Sequence, residues 1–93
     1  MRVEQIQEAI NTYRKKFEKL GIGTGSFSHD IPLDNGLHGL EHCYGMLSQI
    51  EEFLKEGKID KVYRWLGFIQ GVLWADRLYT LSELKSHNKP NLE

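Results

Sequence analysis

Apolar side chains recur at intervals of three and four residues along most of the chain, the spacing of a buried helix face. The pattern predicts helices over residues 3–20, from 34 or 35 to 56, and from 60 to 76 or 77. Asp34 or Asn35 is the expected N-cap of the second helix, and Asp60 is the expected N-cap of the third. Apolar and polar residues never alternate for long, so no β-strand is predicted.

The third predicted helix has two distinct faces. One face is apolar and is expected in the core: Val62, Trp65, Leu66, Ile69, Val72 and Leu73. The opposite face has small residues at intervals of four, flanked by aromatic residues: Gly67, Gly71 and Ala75 with Tyr63, Phe68 and Trp74. A helix without a polar side is normally covered on both sides, and the first two helices account for one side only. We therefore expect a homo-oligomer, a dimer or a tetramer, whose interface contains Gly67, Phe68, Gly71 and Ala75.

Two further segments have clear local signals, one for a loop and one for the start of a short helix. Residues 21–36 contain four glycines and Pro32, which predicts a long loop whose backbone N–H groups can also bind an anion. Thr80-Leu-Ser-Glu83 fits a capping box, which predicts a short helix over residues 81–87. The predicted fold is all-α, a single domain over residues 1–93. It is a small helical bundle of three long helices plus a short capped C-terminal helix. Residues 92–93 are compatible with the remnant of an expression tag.

Composition and charge exclude several functional classes. The 93 residues are 40% hydrophobic and 27% charged, with a net charge of −1, which gives no field for capturing DNA. No apolar run approaches the roughly 20 residues that cross a bilayer, and the N-terminus lacks the apolar core of a signal peptide. We expect a cytoplasmic protein without membrane contact.

Catalytic chemistry has one candidate, the pair His38 and His42. These residues are four apart on a helix, the spacing of helical zinc ligands, and only His29, Asp30 and His87 are available to complete a site. The single cysteine, Cys43, lies on the apolar stripe of its helix, where a thiol is a buried packing group. We predict no bound metal, no cofactor and no catalytic residue.

A binding surface has more candidates. Aromatic rings and cations are concentrated in the last third of the chain, and such groups stack on nucleobases and pair with phosphate oxygens. With the two histidines of the second helix, the predicted ligand-binding residues are Arg64, Trp74, Arg77, Tyr79, His38, His42, His87 and Asn88.

The segment RWLGFIQGVLWADRLYTLSELKSHN, residues 64–88, resembles a C-terminal block found in small phage-encoded helical proteins. The matching positions are Trp65, Gly67, Gln70, Gly71, Trp74, Tyr79, Thr80, Glu83, His87 and Asn88. This group resembles the viral sponge proteins that sequester the cyclic nucleotide signals of bacterial anti-phage (CBASS) immunity. The resemblance implies a non-catalytic helical oligomer that binds a cyclic dinucleotide between subunits. It does not identify which residues of this chain bind the ligand.

Three functional hypotheses follow. The first is a non-enzymatic phage immune-evasion protein that sequesters a cyclic nucleotide at a subunit interface. The second is an inhibitor or takeover factor that binds a host protein through an exposed helix face. The third is a metal-dependent nucleotide hydrolase that uses His38 and His42.

Overall fold

Four α-helices account for most of the described residues in the computed structural model, which describes residues 2–25, 32 and 36–89. They are α1 (Val3–Lys19), α2 (Gly36–Lys55), α3 (Ile59–Ala75) and α4 (Leu81–His87). The described part of the chain contains no β-strand, so the all-α prediction is confirmed. No helix within it is long and apolar enough to cross a membrane.

The core is built from the apolar stripes that the sequence pattern predicts. Helix α2 packs against α1 and α3, and α4 packs against α1 and α3. Fully buried side chains come from each of the three long helices: Ile10, Tyr13 and Phe17 from α1, Cys43, Leu47 and Ile50 from α2, and Val62, Ile69 and Leu73 from α3. Leu84 brings α4 onto the same core. Trp65 and Val72 pack at its edge and remain partly exposed.

Three helices end with the same backbone motif. After α1, the N–H of Gly21 donates to the carbonyl of Glu18, and the N–H of Ile22 donates to that of Phe17. The same two bonds follow α2 and α3, with Gly57 and Arg77 in the place of Gly21. This is the Schellman motif, which needs a left-handed residue after the helix. Gly21, Gly57 and Arg77 have φ values of 71°, 75° and 65°.

The helix starts agree with the sequence in one case and disagree in another. The capping box of α4 is confirmed, because the N–H of Glu83 donates to Thr80 Oγ1 at 3.1 Å and the N–H of Thr80 donates to Glu83 Oε1 at 2.9 Å. Asp60 is not the N-cap of α3. Helix α3 begins directly after the Schellman turn at Gly57. Lys58 is therefore the N-cap, and Asp60 lies in the first turn. The expected caps of α2, at 34 and 35, lie outside the described residues.

The start of the glycine-rich segment packs against α2. Ile22 is buried in the core, and the N–H of Gly25 donates to the carbonyl of Glu41 at 3.0 Å. A Cβ atom added at Gly45 would lie 3.0 Å from the Gly25 carbonyl oxygen. Gly45 therefore lets the backbone of the loop approach the helix. Residues 26–31 and 33–35, the rest of the predicted loop before α2, lie outside the described residues.

Candidate functional site

The eight predicted ligand-binding residues fall into three separate places. Tyr79, His87 and Asn88 lie where α4 meets α1 and α3. Arg64 and Trp74 are exposed on α3, and Arg77 is exposed just after its end. His38 and His42 lie on α2 and are both half-buried. The structure does not bring all eight together.

A closed polar cluster holds the end of α4. Gln70 Nε2 donates to Asn88 Oδ1 at 2.7 Å, and Asn88 Nδ2 donates back to Gln70 Oε1 at 3.1 Å. The same Gln70 nitrogen donates to the hydroxyl of Tyr13 at 2.9 Å, and that hydroxyl lies 2.9 Å from His87 Nδ1. Gln5 Nε2 donates to the His87 carbonyl at 2.7 Å. These five residues, the Tyr13 cluster, connect α1, α3 and α4.

The electrostatics of the Tyr13 cluster favour uncharged groups. Burial raises the pKa of Tyr13 to about 12, so its hydroxyl keeps its proton at neutral pH. Because this oxygen accepts from Gln70, its proton is available for His87 Nδ1. Burial also lowers the pKa of His87, although the charge of Glu83 opposes that shift. A neutral His87 that accepts at Nδ1 fits this arrangement.

The rings around the cluster are packed against one another. The Tyr79 ring lies 5.8 Å from the Tyr13 ring and 5.0 Å from the His87 ring, measured between centroids. Lys16 Nζ lies 5.5 Å from the centroid of Tyr79. The side chains of Tyr79, His87 and Asn88 thus already have partners within the chain, and these contacts give each of them a structural role. The roles of all three in ligand binding remain predictions.

Sequence reasoning missed Gln5, Tyr13 and Gln70 as members of this cluster. The signal for Tyr13 was present, because a tyrosine on an otherwise apolar stripe brings a hydroxyl into the core that needs a partner. Gln70 gave a second signal as an amide at the edge of the core face of α3. What the sequence did not show is that both residues meet the end of α4.

On its outer face, α3 carries three of the seven large hydrophobic side chains that are exposed among the described residues, more than any other helix. Tyr63, Phe68 and Trp74 are 41%, 54% and 53% exposed. Between them, a Cβ atom added at Gly67 or Gly71 would meet no described atom within 4 Å. Arg64 and Ala75 are also exposed. This combination of exposed rings, a flat backbone and a guanidinium group is suited to stacking on a planar ring or to packing against another helix.

The histidines of α2 do not form a metal centre with other described residues. No group of three or more His, Cys, Asp or Glu side chains within residues 2–25, 32 and 36–89 is placed to hold a metal ion. His29 and Asp30 lie outside those ranges. The His42 ring instead makes an edge contact with Phe68, with the centroids 6.4 Å apart. His42 therefore borders the outer face of α3.

Cys43 is placed as a packing group. Its side chain is fully buried, and burial raises the pKa of the thiol to about 12. A nucleophilic cysteine needs exposure and a lowered pKa, so Cys43 has the opposite properties.

An open groove of about 550 Å³ lies between the N-terminal part of α1 and the C-terminal part of α2. Glu51 and Glu52 line it, together with Gln7 and Lys55. Glu51 forms an ion pair with Arg14 and accepts from Gln7 Nε2 at 2.7 Å. Its carboxylate is thus already engaged, and its pKa is lowered mainly by the hydrogen bond from Arg14. The acidic lining does not suit a phosphate-bearing ligand.

Comparison of the chain with family models, with curated proteins and with solved structures found no match. A functional assignment therefore depends on the surfaces described above. The outer face of α3 is the strongest candidate site among them.

Proposed function

We propose that this protein is a non-enzymatic phage immune-evasion protein that oligomerises through the outer face of α3 and sequesters a cyclic nucleotide at the subunit interface. The observation that carries the proposal is the exposure of Tyr63, Phe68 and Trp74 on one helix face. Rings of this kind stack on nucleobases. Arg64 and Arg77, both exposed, supply cations for the phosphates.

The ligand would lie at the edge of the α3 face. Arg64, Trp74 and Arg77 are its first expected contacts, because their side chains reach solvent. His42 borders the same face through Phe68, and His38 lies one turn earlier on α2. Sequestration requires tight binding and abundance, and it requires no catalytic group.

A panel of nucleotides in a thermal-shift assay tests the proposal. Cyclic di- and trinucleotides are compared with linear dinucleotides and with ATP. A ligand at about 100 times its Kd stabilises the folded state by about 2.7 kcal/mol, which raises the melting temperature of a domain of this size by about 10–20 °C. The bound nucleotide is then depleted on ultrafiltration and recovered unchanged by mass spectrometry. If no cyclic nucleotide shifts the melting temperature or is depleted, the proposal is wrong.

Two variants assign the binding to the α3 face. Trp74→Ala is expected to weaken nucleotide binding about 5- to 150-fold, because stacking on one aromatic side chain contributes about 1–3 kcal/mol per base. Arg64→Ala is also expected to weaken it, because the variant loses a cation that pairs with a phosphate. Gln49→Ala, an exposed position on α2, is the matched control and keeps wild-type affinity. Equal losses in all three variants would place the site elsewhere.

The exposed rings also favour a second candidate, a protein that docks a host protein on the same face. Purification from host lysate separates the two. A sponge retains nucleotide and no stoichiometric protein, whereas an inhibitor retains a host protein that is lost in the Trp74→Ala variant. Conversion of a nucleotide during incubation would instead favour a hydrolase that uses His38 and His42.

A further inference from the structure

Exposed residues on the outer face of α3 are placed nearly symmetrically about the level of Ile69, which itself is buried on the core face. Gly67 and Gly71 lie two residues before and after Ile69. Tyr63 and Trp74 lie about 9 Å before it and about 7.5 Å after it, at 1.5 Å of rise per residue. Both rings are exposed, and at about 100° per residue both lie on the same side of the glycine stripe. On the side of Tyr63 and Trp74, the face therefore looks alike when the direction of the helix is reversed.

We propose that α3 pairs with α3 of a second copy in the antiparallel direction, about a two-fold axis that passes level with Ile69. Gly67 of one copy then lies against Gly71 of the partner subunit, which allows the two backbones to approach closely. Tyr63 of one copy lies beside Trp74 of the partner subunit, and the two-fold axis produces this aromatic pair twice. The inference rests on the proposed function for its oligomer and specifies the geometry of that oligomer.

Charge favours the antiparallel direction over the parallel one. Arg64 lies in the N-terminal half of α3, so antiparallel pairing places its guanidinium beside the last turn of the partner's α3. The carbonyl groups of that turn carry the negative end of the helix dipole. Asp60, exposed in the first turn, is level with Arg77 of the partner subunit. Parallel pairing would instead place Arg64 near Arg64 of the partner subunit. Repulsion between the two positive charges disfavours that arrangement.

Disulfide trapping with two single-cysteine variants tests the direction and register. Tyr63→Cys and Trp74→Cys are purified separately, mixed in equal amounts and oxidised. Antiparallel pairing predicts a disulfide-linked dimer in the mixture and none in either variant alone. Each mixed dimer keeps one native pair of Tyr63 and Trp74 on its other side, which preserves the interface. Wild-type protein is the control, because the thiol of its Cys43 is fully buried.

The other outcomes overturn the proposal. Disulfides within either variant alone would indicate parallel pairing. A mixture without disulfide-linked dimer, or wild-type protein of monomer mass by light scattering, would show that another partner or none covers the face.

The Gly71→Leu variant provides an independent measurement. No described atom lies within 4 Å of a Cβ atom at this position, so the isolated chain accommodates a side chain there. Pairing predicts a helical variant by circular dichroism with monomer mass, because leucine separates the two backbones. A dimeric Gly71→Leu variant would contradict the proposed contact. Wild-type protein that is monomeric and still binds cyclic nucleotide would reject the pairing alone. Trapping of the antiparallel dimer, together with wild-type protein that binds no cyclic nucleotide, would reject the proposed function alone.

Discussion

Gln70 and Asn88 exchange two hydrogen bonds between their side-chain amides, of 2.7 Å and 3.1 Å, across 18 residues of sequence. Gln70 lies on α3, and Asn88 is the C-cap of α4. The pair thereby attaches the end of the last helix to α3. Gln70 also donates to Tyr13 of α1. The side-chain amide of Gln70 therefore connects α3 to both α1 and the end of α4.

We expect Gln70→Glu to destabilise the fold by about 1–3 kcal/mol, the usual cost of leaving partly buried polar groups without their partners. The carboxylate at neutral pH cannot donate to Tyr13 or to Asn88 Oδ1. The free energy of unfolding in urea measures the effect. Gln49→Glu makes the same chemical change at an exposed position of α2 and is expected to change stability by less than about 0.5 kcal/mol. Similar losses in both variants would contradict a special role for Gln70.

The Tyr13 cluster also predicts a pH dependence. The pKa of His87 is lowered in the folded state by burial. When the pH falls below the ordinary histidine value near 6.5, the unfolded chain takes up a proton before the folded chain does. The stability that neutral His87 provides is therefore present above that pH and is lost as the pH falls through the lower pKa of the folded state.

Urea unfolding of wild type and His87→Gln between pH 7.5 and about pH 5 measures this dependence. Glutamine keeps an acceptor for Tyr13 but does not titrate, so the variant should lose less stability than wild type over that range. The pKa values of Glu51 and Glu83 are lowered in the folded state, so the stability that these carboxylates provide is lost only at more acidic pH. Parallel pH profiles for the two proteins would show that His87 does not titrate differently in the two states.

The helices and the core were predictable from sequence because each depends on local periodicity. The spacing in α1 predicts one apolar stripe: Val3, Ile6, Ile10, Tyr13, Phe17 and Leu20. Its four inner members are buried, whereas Val3 and Leu20 at its two ends are 54% and 48% exposed. The capping box at Thr80 needs only four consecutive residues, and it is present as predicted. The Asp60 cap failed because the preceding Schellman turn at Gly57 already sets where α3 begins.

The grouping of the candidate site residues was not predictable, because it depends on long-range contacts. His87 and Asn88 seemed available for a ligand in sequence, yet they meet Tyr13 and Gln70, which are 74 and 18 residues away. Conversely, Arg64 and Trp74 were expected off the apolar stripe of α3, on the side of Gly67 and Gly71, and they are exposed on that side. Periodicity places a residue on a face of its own helix, but it does not say which other helix meets that face.

Gly45 provides a third test, of the contact between α2 and the segment before it. Replacing a glycine inside a helix by alanine usually adds about 0.5–1 kcal/mol of stability. At Gly45 the new methyl group would lie 3.0 Å from a backbone oxygen of Gly25. We expect Gly45→Ala to show none of that gain and to speed hydrogen exchange at the Gly25 amide, whose bond to Glu41 would lengthen.

Ser48→Ala, at an exposed position of the same helix, is the control and should be neutral or slightly stabilising without affecting Gly25. A full stability gain in Gly45→Ala with unchanged exchange at Gly25 would show that the segment is not held against α2 in this way.

Arg77 occupies the left-handed position that glycine occupies at the ends of α1 and α2. A residue with a Cβ atom is strained there by about 1 kcal/mol or more. We expect Arg77→Gly to raise the free energy of unfolding by about 1 kcal/mol while it weakens nucleotide binding, since the guanidinium is a proposed phosphate contact. Gly57→Ala is the matched reverse change, because no described atom would touch its Cβ, and it should lower stability by about 1 kcal/mol without affecting binding.

An Arg77→Gly variant that gains stability and keeps full affinity would remove Arg77 from the ligand site. One that gains no stability would show that the Arg77 side chain makes compensating contacts.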